Sequence, residues 1–321
     1  MNNETLIKMG TDSWRKQLIA TNKILDNLSD EELLREVAPG RNRRIYLLGH
    51  LRSIVVLFVL SILPGSAFCQ GKIDYGNNKS AGKYYKVRGI NIYTEQYGSG
   101  KPLLLIHGNG GSIKSMASII PYFASRYRVI AADSRAQGKS TDNGDSLSFE
   151  MMADDDAALL NQMHIDSAYV IGWSDGGIVA LVLAMRHPSK VIKLASTGAN
   201  LWPDSTALLP SIWKEEKSYY DSLHTKVRAT AKEKNDWKIF MLDWLQPNIP
   251  LAALHTIHCP SLIISGDHDL IVLDHTVKIY QNIPNAYLWV LSDSGHATLI
   301  EHTDEFDKKV NEFFETPFHK R

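Results

Sequence analysis

Gly172-Trp173-Ser174-Asp175-Gly176-Gly177 is the stretch on which the reading of this chain turns. The apolar run Ala168-Tyr169-Val170-Ile171 precedes it, and the small, apolar run Ile178-Val179-Ala180-Leu181-Val182-Leu183-Ala184 follows. That order predicts a strand, a tight turn bearing a serine, and a helix, the setting in which a G-x-S-x-G match has meaning. Glycines two residues either side of Ser174 let the chain turn sharply without a side-chain clash. Such a turn lifts the Ser174 hydroxyl clear of the sheet edge. It also sets Ser174 beside a helix N-terminus, whose free N–H groups favour negative charge. An ordinary glycine-rich β–α turn has the same letters, so a base, an acid and an oxyanion loop must accompany it.

The base is expected near the C-terminus. Ala286-Tyr287-Leu288-Trp289-Val290-Leu291 predicts a buried strand, and Ser292-Asp293-Ser294-Gly295-His296 the loop at its end. Its place directly after the last strand singles His296 out of twelve histidines. The acid belongs between Ser174 and His296. Pro260-Ser261-Leu262-Ile263-Ile264-Ser265-Gly266 predicts a strand, and Asp267-His268-Asp269 follows it. The spacing G-x-x-D favours Asp269, with Asp267 as the alternative; the other acid then caps the turn. Pro102-Leu103-Leu104-Leu105-Ile106 runs into His107-Gly108-Asn109-Gly110-Gly111, where glycines let backbone N–H groups face a substrate oxygen. One oxyanion donor is assigned to the N–H of Asn109 and the other to the N–H of Asp175. Losing such a donor costs about 3 kcal/mol of transition-state stabilisation. His107, just before the glycines, is expected to support the loop through hydrogen bonds and not to act as the base.

With those residues in place, the chain resembles the α/β-hydrolase family, whose order is Ser, then Asp, then His. The resemblance covers roughly residues 83–314. Asp133-Ser134-Arg135-Ala136-Gln137-Gly138-Lys139-Ser140 is similar to the family's D-x-R-G-x-G-x-S turn, with Ala136-Gln137 replacing the usual residues before the glycine. Gly295-His296 followed by Glu301 also resembles the family's ending. Within the family, the Ser174 motif and Gly198-Ala199-Asn200 are similar to the biphenyl-hydrolase-like esterases. The resemblance implies an α/β-hydrolase fold: a mostly parallel eight-stranded sheet, helices on both faces and a small helical cap. It implies a serine hydrolase cleaving an ester, thioester, lactone or small amide. His296 takes the Ser174 proton, Asp269 holds the imidazole, and water resolves the acyl-enzyme. Activity is therefore expected to rise as the imidazole loses its proton. No cofactor and no metal are needed. Related folds use the same triad for carbon–carbon bond hydrolysis or perhydrolysis, and a non-catalytic ligand-binding member is the alternative outside enzymes. Dehalogenases and epoxide hydrolases of this fold use a carboxylate nucleophile, so Ser174 argues against them.

Apolar runs alternating with helical patterns independently argue for a mostly parallel sheet covered on both faces. Lys83–Arg88 and Ile90–Tyr97 predict an antiparallel hairpin around Gly89. Ser148–His164 predicts a helix with Phe149, Met152 and Leu159-Leu160 inward and the acids Asp154 to Asp156 exposed. Phe306, Val310 and Phe313-Phe314 fit a final amphipathic helix. At about residues 200–257, Trp202, Trp213, Trp237 and Trp244 interleave with charged clusters and predict a helical cap after the sixth strand. These tryptophans either line the substrate pocket or anchor the cap. Asp175 also has two readings: it attracts a substrate ammonium group, or it complements the helix N-terminus.

The first seventy residues read differently. Arg41, Arg43, Arg44 and Arg52 precede the apolar run 53–63, and Pro64-Gly65-Ser66 and Ala67-Phe68-Cys69-Gln70 follow. This is a secretory signal pattern over residues 51–69, with cleavage expected after Cys69. Its apolar core is shorter than the roughly 20 residues of a spanning helix, so membrane attachment arises only as an uncleaved anchor. Export leaves Cys259 as the single cysteine, so no internal disulfide can form. Residues 1–50 resemble the opening of a DinB-like helical bundle, in which His50 matches a metal-ligand position. The bundle's other histidines are missing, so no metal site is expected. A truncating fusion or a start codon upstream of the true one accounts for this fragment. Residues 70–321 then form one large domain. Lys plus Arg equals Asp plus Glu at 35 each, which gives no net attraction to nucleic acid. The expected partner is a small acyl substrate; oligomeric state is not legible.

Overall fold

A computed structural model of the chain describes residues 73–319. The DinB-like fragment, His50, the expected leader and its cleavage point at Cys69-Gln70 lie outside the described residues.

Eight strands form one sheet: β1 (Gly82–Val87), β2 (Ile90–Tyr97), β3 (Pro102–Ile106), β4 (Arg128–Ala132), β5 (Ala168–Trp173), β6 (Val191–Thr197), β7 (Ser261–Gly266) and β8 (Ala286–Leu291). Their spatial order is β1-β2-β4-β3-β5-β6-β7-β8. Only β2 runs against its neighbours, and every pairing from β4 to β8 is parallel. The helices are α1 (Ile120–Ala124), α2 (Phe149–Gln162), α3 (Asp175–Arg186), α4 (Pro210–Leu223), α5 (Ala231–Leu245), α6 (Leu251–Leu254), α7 (Leu273–Asn282), α8 (Thr298–Glu301) and α9 (Thr303–Glu315).

A strand's period of two sends alternate side chains to opposite faces. In β3, Leu104 and Ile106 join one core with Leu159 of α2 and Leu181 of α3, whereas Leu103 and Leu105 join the other with Phe123 of α1 and Phe306 of α9. Helices therefore cover both faces, and β3 is apolar throughout because neither of its faces meets water. Every residue of α3 from Asp175 to Ala184 is buried. Burial of each Leu, Ile or Val in that run stabilises the fold by about 1.5–3 kcal/mol. This anchors the helix whose N-terminus follows Ser174.

The acids of α2 are not an exposed face. Asp155 is 3% exposed and accepts two bonds from Arg135, at 2.6 and 2.8 Å. Asp154 accepts from Arg186 and His187. Arg135 arrives from the loop after β4, so a charge that helical spacing assigns to solvent is neutralised by a distant partner. Between β6 and β7 the chain leaves the sheet to form α4, α5 and α6. No residue of α4 is buried, and only Leu242 of α5 is. The two helices meet through aromatic rings: Tyr219 on Phe240 at 4.8 Å and Tyr220 on Trp244 at 4.7 Å. No helix among the described residues is long and apolar enough to cross a membrane.

Candidate active site

Ser174 stands at the C-terminal end of the central strand β5 with φ 58° and ψ −122°. An L-residue holds such a conformation only where its surroundings over-determine it. Here the Ser174 N–H donates to the Thr197 carbonyl of β6 at 2.8 Å, while its own carbonyl accepts from Gly177 at 2.7 Å and Ile178 at 3.1 Å. Gly176 is required for close approach, because a Cβ there would strike the carbonyl of Ile106 on β3. The G-x-S-x-G spacing thus lets a strand, a strained turn and a buried helix pack together.

The loop after β8 brings His296 to this turn. Its Nε2 lies 2.9 Å from the Ser174 Oγ, and its Nδ1 lies 2.7 Å from the Asp269 Oδ1. An imidazole donating from Nδ1 to the carboxylate accepts the serine proton at Nε2. The Asp269 side chain is fully buried and that of His296 is 19% exposed. Asp269 also accepts from the N–H of Ile271 at 3.0 Å, so its carboxylate is fixed by the backbone. Asp267, the alternative acid, does not meet His296. It accepts from the Ser294 N–H at 3.1 Å and pairs with His268, which holds its carboxyl down at about 2. It therefore pins the β7 loop to the β8 loop.

Around Asn109, the oxyanion loop lies against the nucleophile: a Cβ on Gly108 would stand 3.0 Å from the Ser174 Cβ. The backbone N–H groups of Asn109 and Asp175 make no hydrogen bond among the described residues. His107 is 1% exposed and supports this loop. Its Nδ1 donates to the Gly108 carbonyl at 2.7 Å, and its Nε2 accepts from the Ser134 N–H at 3.0 Å. Burial lowers its pKa, which suits a neutral ring in that tautomer.

Several contacts were not legible from residue type. Glu301 accepts from the Gly295 N–H at 2.6 Å and from the Ser294 hydroxyl at 3.3 Å, fixing the His296 loop. The Trp173 indole N–H donates to the His296 carbonyl at 2.9 Å. Gly198 has φ 67°, and a Cβ there would stand 2.7 Å from the His296 Cε1. The Asn109 side chain donates to the Asp175 Oδ2 at 2.9 Å and to the Ile239 carbonyl of α5 at 3.2 Å. Asp175 is 3% exposed, and burial raises its pKa against the pull of Asp243 and Asn109. Asp175 thus has partners besides the helix N-terminus, and they tie the elbow to α5.

The sequence model of the alpha/beta hydrolase fold matches residues 101–235. The chain is 28% identical over 255 residues to the serine hydrolase BPHL of Mus musculus, covering 71% of this chain and 84% of that protein. It is 29% identical over 245 residues to a pimeloyl-[acyl-carrier protein] methyl ester esterase of Legionella pneumophila (strain Corby), covering 70% and 99%. The meta-cleavage product hydrolase CumD of Pseudomonas fluorescens IP01 superposes with a TM-score of 0.60 at 24% identity, over 74% of this chain and 98% of that one. The chain has the α/β-hydrolase fold. This α/β-hydrolase is a serine hydrolase.

Proposed function

We propose that this α/β-hydrolase cleaves a small carboxylic ester, thioester, lactone or amide through Ser174, His296 and Asp269. The observation that carries the reading is the unbroken run of hydrogen bonds from Asp269 through His296 to the strained Ser174. Ser174 Oγ attacks the acyl carbon as His296 Nε2 takes its proton. Asp269 stabilises the resulting imidazolium. The N–H groups of Asn109 and Asp175 receive the oxyanion, which supports their assignment as donors because neither has a partner among the described residues. His296 returns the proton to the leaving group, and water, activated by the same imidazole, releases the acid. The ester-cleaving name of the Legionella relative favours an ester.

The test is turnover of nitrophenyl esters of graded acyl length by the wild type and Ser174→Ala. Turnover lost in the variant, with fluorophosphonate labelling at Ser174, is the expected result. A folded wild type that cleaves no ester and takes no label would sink the reading and favour a non-catalytic member of the fold. We propose export as well, on the leader sequence; mass spectrometry of the natural protein should find Gln70 at its N-terminus, and an intact Met1 would refute it.

A further inference from the structure

The two N–H groups proposed to receive the oxyanion belong to Asn109 and Asp175, which lie 66 residues apart in the chain. One stands in the loop after β3 and the other opens α3, so only tertiary contacts set their spacing. The Asp175 side is rigid, because α3 is buried from Asp175 to Ala184. The Asn109 side is built differently. The Gly111 N–H donates to the Gly108 carbonyl at 3.1 Å and closes a tight turn, with Gly110 at φ 62°. Three of the four residues in that turn are glycines, whose backbone has the most freedom to lose. Asn109 carries the one side chain in Gly108–Gly111, and that side chain makes two bonds. Its Nδ2 donates to the Asp175 Oδ2 at 2.9 Å and to the Ile239 carbonyl of α5 at 3.2 Å. A side-chain amide has two N–H donors, and both are used. The residues bearing the two oxyanion donors are therefore joined side chain to side chain, and the same nitrogen fastens them to the cap. Other bonds from α5 to the core bypass this turn: Asn235 donates to the Ala136 carbonyl at 2.8 Å and Gln246 to the Leu147 carbonyl at 3.1 Å.

We propose that the Asn109 side chain is a cross-brace that fixes the spacing of the two oxyanion donors and makes the cap helix α5 part of that setting. The side chain is thus a positioning group, distinct from the N–H that the same residue presents. The brace rests on the Ser174 hydrolase reading for its effect on rate but not for its structural effect. The oxyanion develops only on the way to the tetrahedral intermediate, so a misplaced donor is felt in kcat more than in KM. A shift of about 1 Å in such a group costs about a hundredfold.

The experiment measures kcat and KM on a neutral nitrophenyl ester for the full-length wild type, Asn109→Asp, Asp175→Asn and the double variant carrying both. Asn109→Asp keeps the shape but sets two acceptor-only carboxylates face to face. Its kcat should fall about tenfold to a hundredfold, with KM within about threefold of the wild type. Asp175→Asn leaves an amide oxygen for Asn109 to bond, so it should lose less than Asn109→Asp does. The double variant exchanges donor and acceptor and should regain at least about fivefold in kcat over Asn109→Asp. Asn109→Ala removes both bonds without adding charge, should lose kcat in the same range, and decides the matter if Asn109→Asp does not fold. Asn235→Ala loosens α5 away from the turn, and its kcat should stay within about twofold of the wild type. An Asn109→Ala loss confined to KM, an equal kcat loss in Asn235→Ala, or a double variant no faster than Asn109→Asp overturns the brace. Hydrogen exchange reads the cap arm without turnover. The α5 amides around Ile239 should exchange at least about threefold faster in Asn109→Ala, and unchanged exchange overturns the brace. If the wild type neither cleaves esters nor labels at Ser174, the hydrolase reading fails alone, and exchange still decides the brace.

Discussion

Asp267 and Asp269 lie two residues apart, yet they do different work. Asp269 holds His296 at 2.7 Å, whereas Asp267 bonds the Ser294 N–H. Asp269→Asn should lower kcat by about 10⁴, because the amide favours the wrong imidazole tautomer. Asp267→Asn should lower it by less than about tenfold, since it loosens only a loop. The two variants in one ester assay check this, and equal losses would contradict the assignment. Gly198 is a sharper case. A methyl group there would press on the His296 ring from 2.7 Å, at a backbone φ of 67°. Gly198→Ala should reduce kcat about tenfold or more with a smaller change in KM, measured beside a thermal melt. Residue type announced Ser174, His296 and the choice between the two acids, because each stands just after a readable apolar strand. It marked Gly198 and Glu301 only as parts of family-like motifs and did not announce that they touch the His296 ring and its loop, because contacts between distant segments leave no local pattern.

At the level of helices, α9 carries a titration of its own. Asp307 is 3% exposed and its Oδ1 has no hydrogen-bond partner among the described residues. Burial pushes its carboxyl up to about 7, with Asp304 adding and Arg126 opposing. The folded chain therefore binds this proton more tightly than the unfolded one, whose Asp titrates near 3.9. Its stabilising share is present below that value and is lost as pH rises from about 4 to about 7. Asp307→Asn should leave stability little changed at low pH and raise it by about 1–2 kcal/mol above neutrality, read by urea melts at two pH values. The helix itself was legible from the spacing of Phe306, Val310, Phe313 and Phe314, all of which are buried. The inward Asp307 was not, because a single acid in an amphipathic pattern reads as solvated. Ser148 caps α2 by accepting from the Met151 N–H at 3.1 Å. Ser148→Ala should cost about 1 kcal/mol in the same melts.

Beyond single helices, an ion-pair network joins the cap to the core. Arg135 is 6% exposed and bridges Asp155 of α2 to Asp142, which also pairs with Lys238 of α5. Burial opposes ionisation of Asp142, yet Lys238 and Arg135 together hold its carboxyl below the ordinary range. Arg135→Leu would take both short bonds from the buried Asp155, leaving it only Arg88 at 3.5 Å, and one of two cations from Asp142, and should cost about 3–5 kcal/mol, measured by equilibrium unfolding. A loss under about 1 kcal/mol would mean water already compensates those charges. The sequence by itself determined the strand order along the chain, the nucleophile turn and the position of the cap, because these depend on local periodicity and on glycines at fixed offsets. Only the tertiary structure decided which acid meets His296, that Asp155 is buried against Arg135, and that Asn109 links Asp175 to the Ile239 carbonyl of α5. Each of these is a contact between residues far apart in the chain, fixed by how the sheet twists and how α5 packs, and no local pattern encodes it.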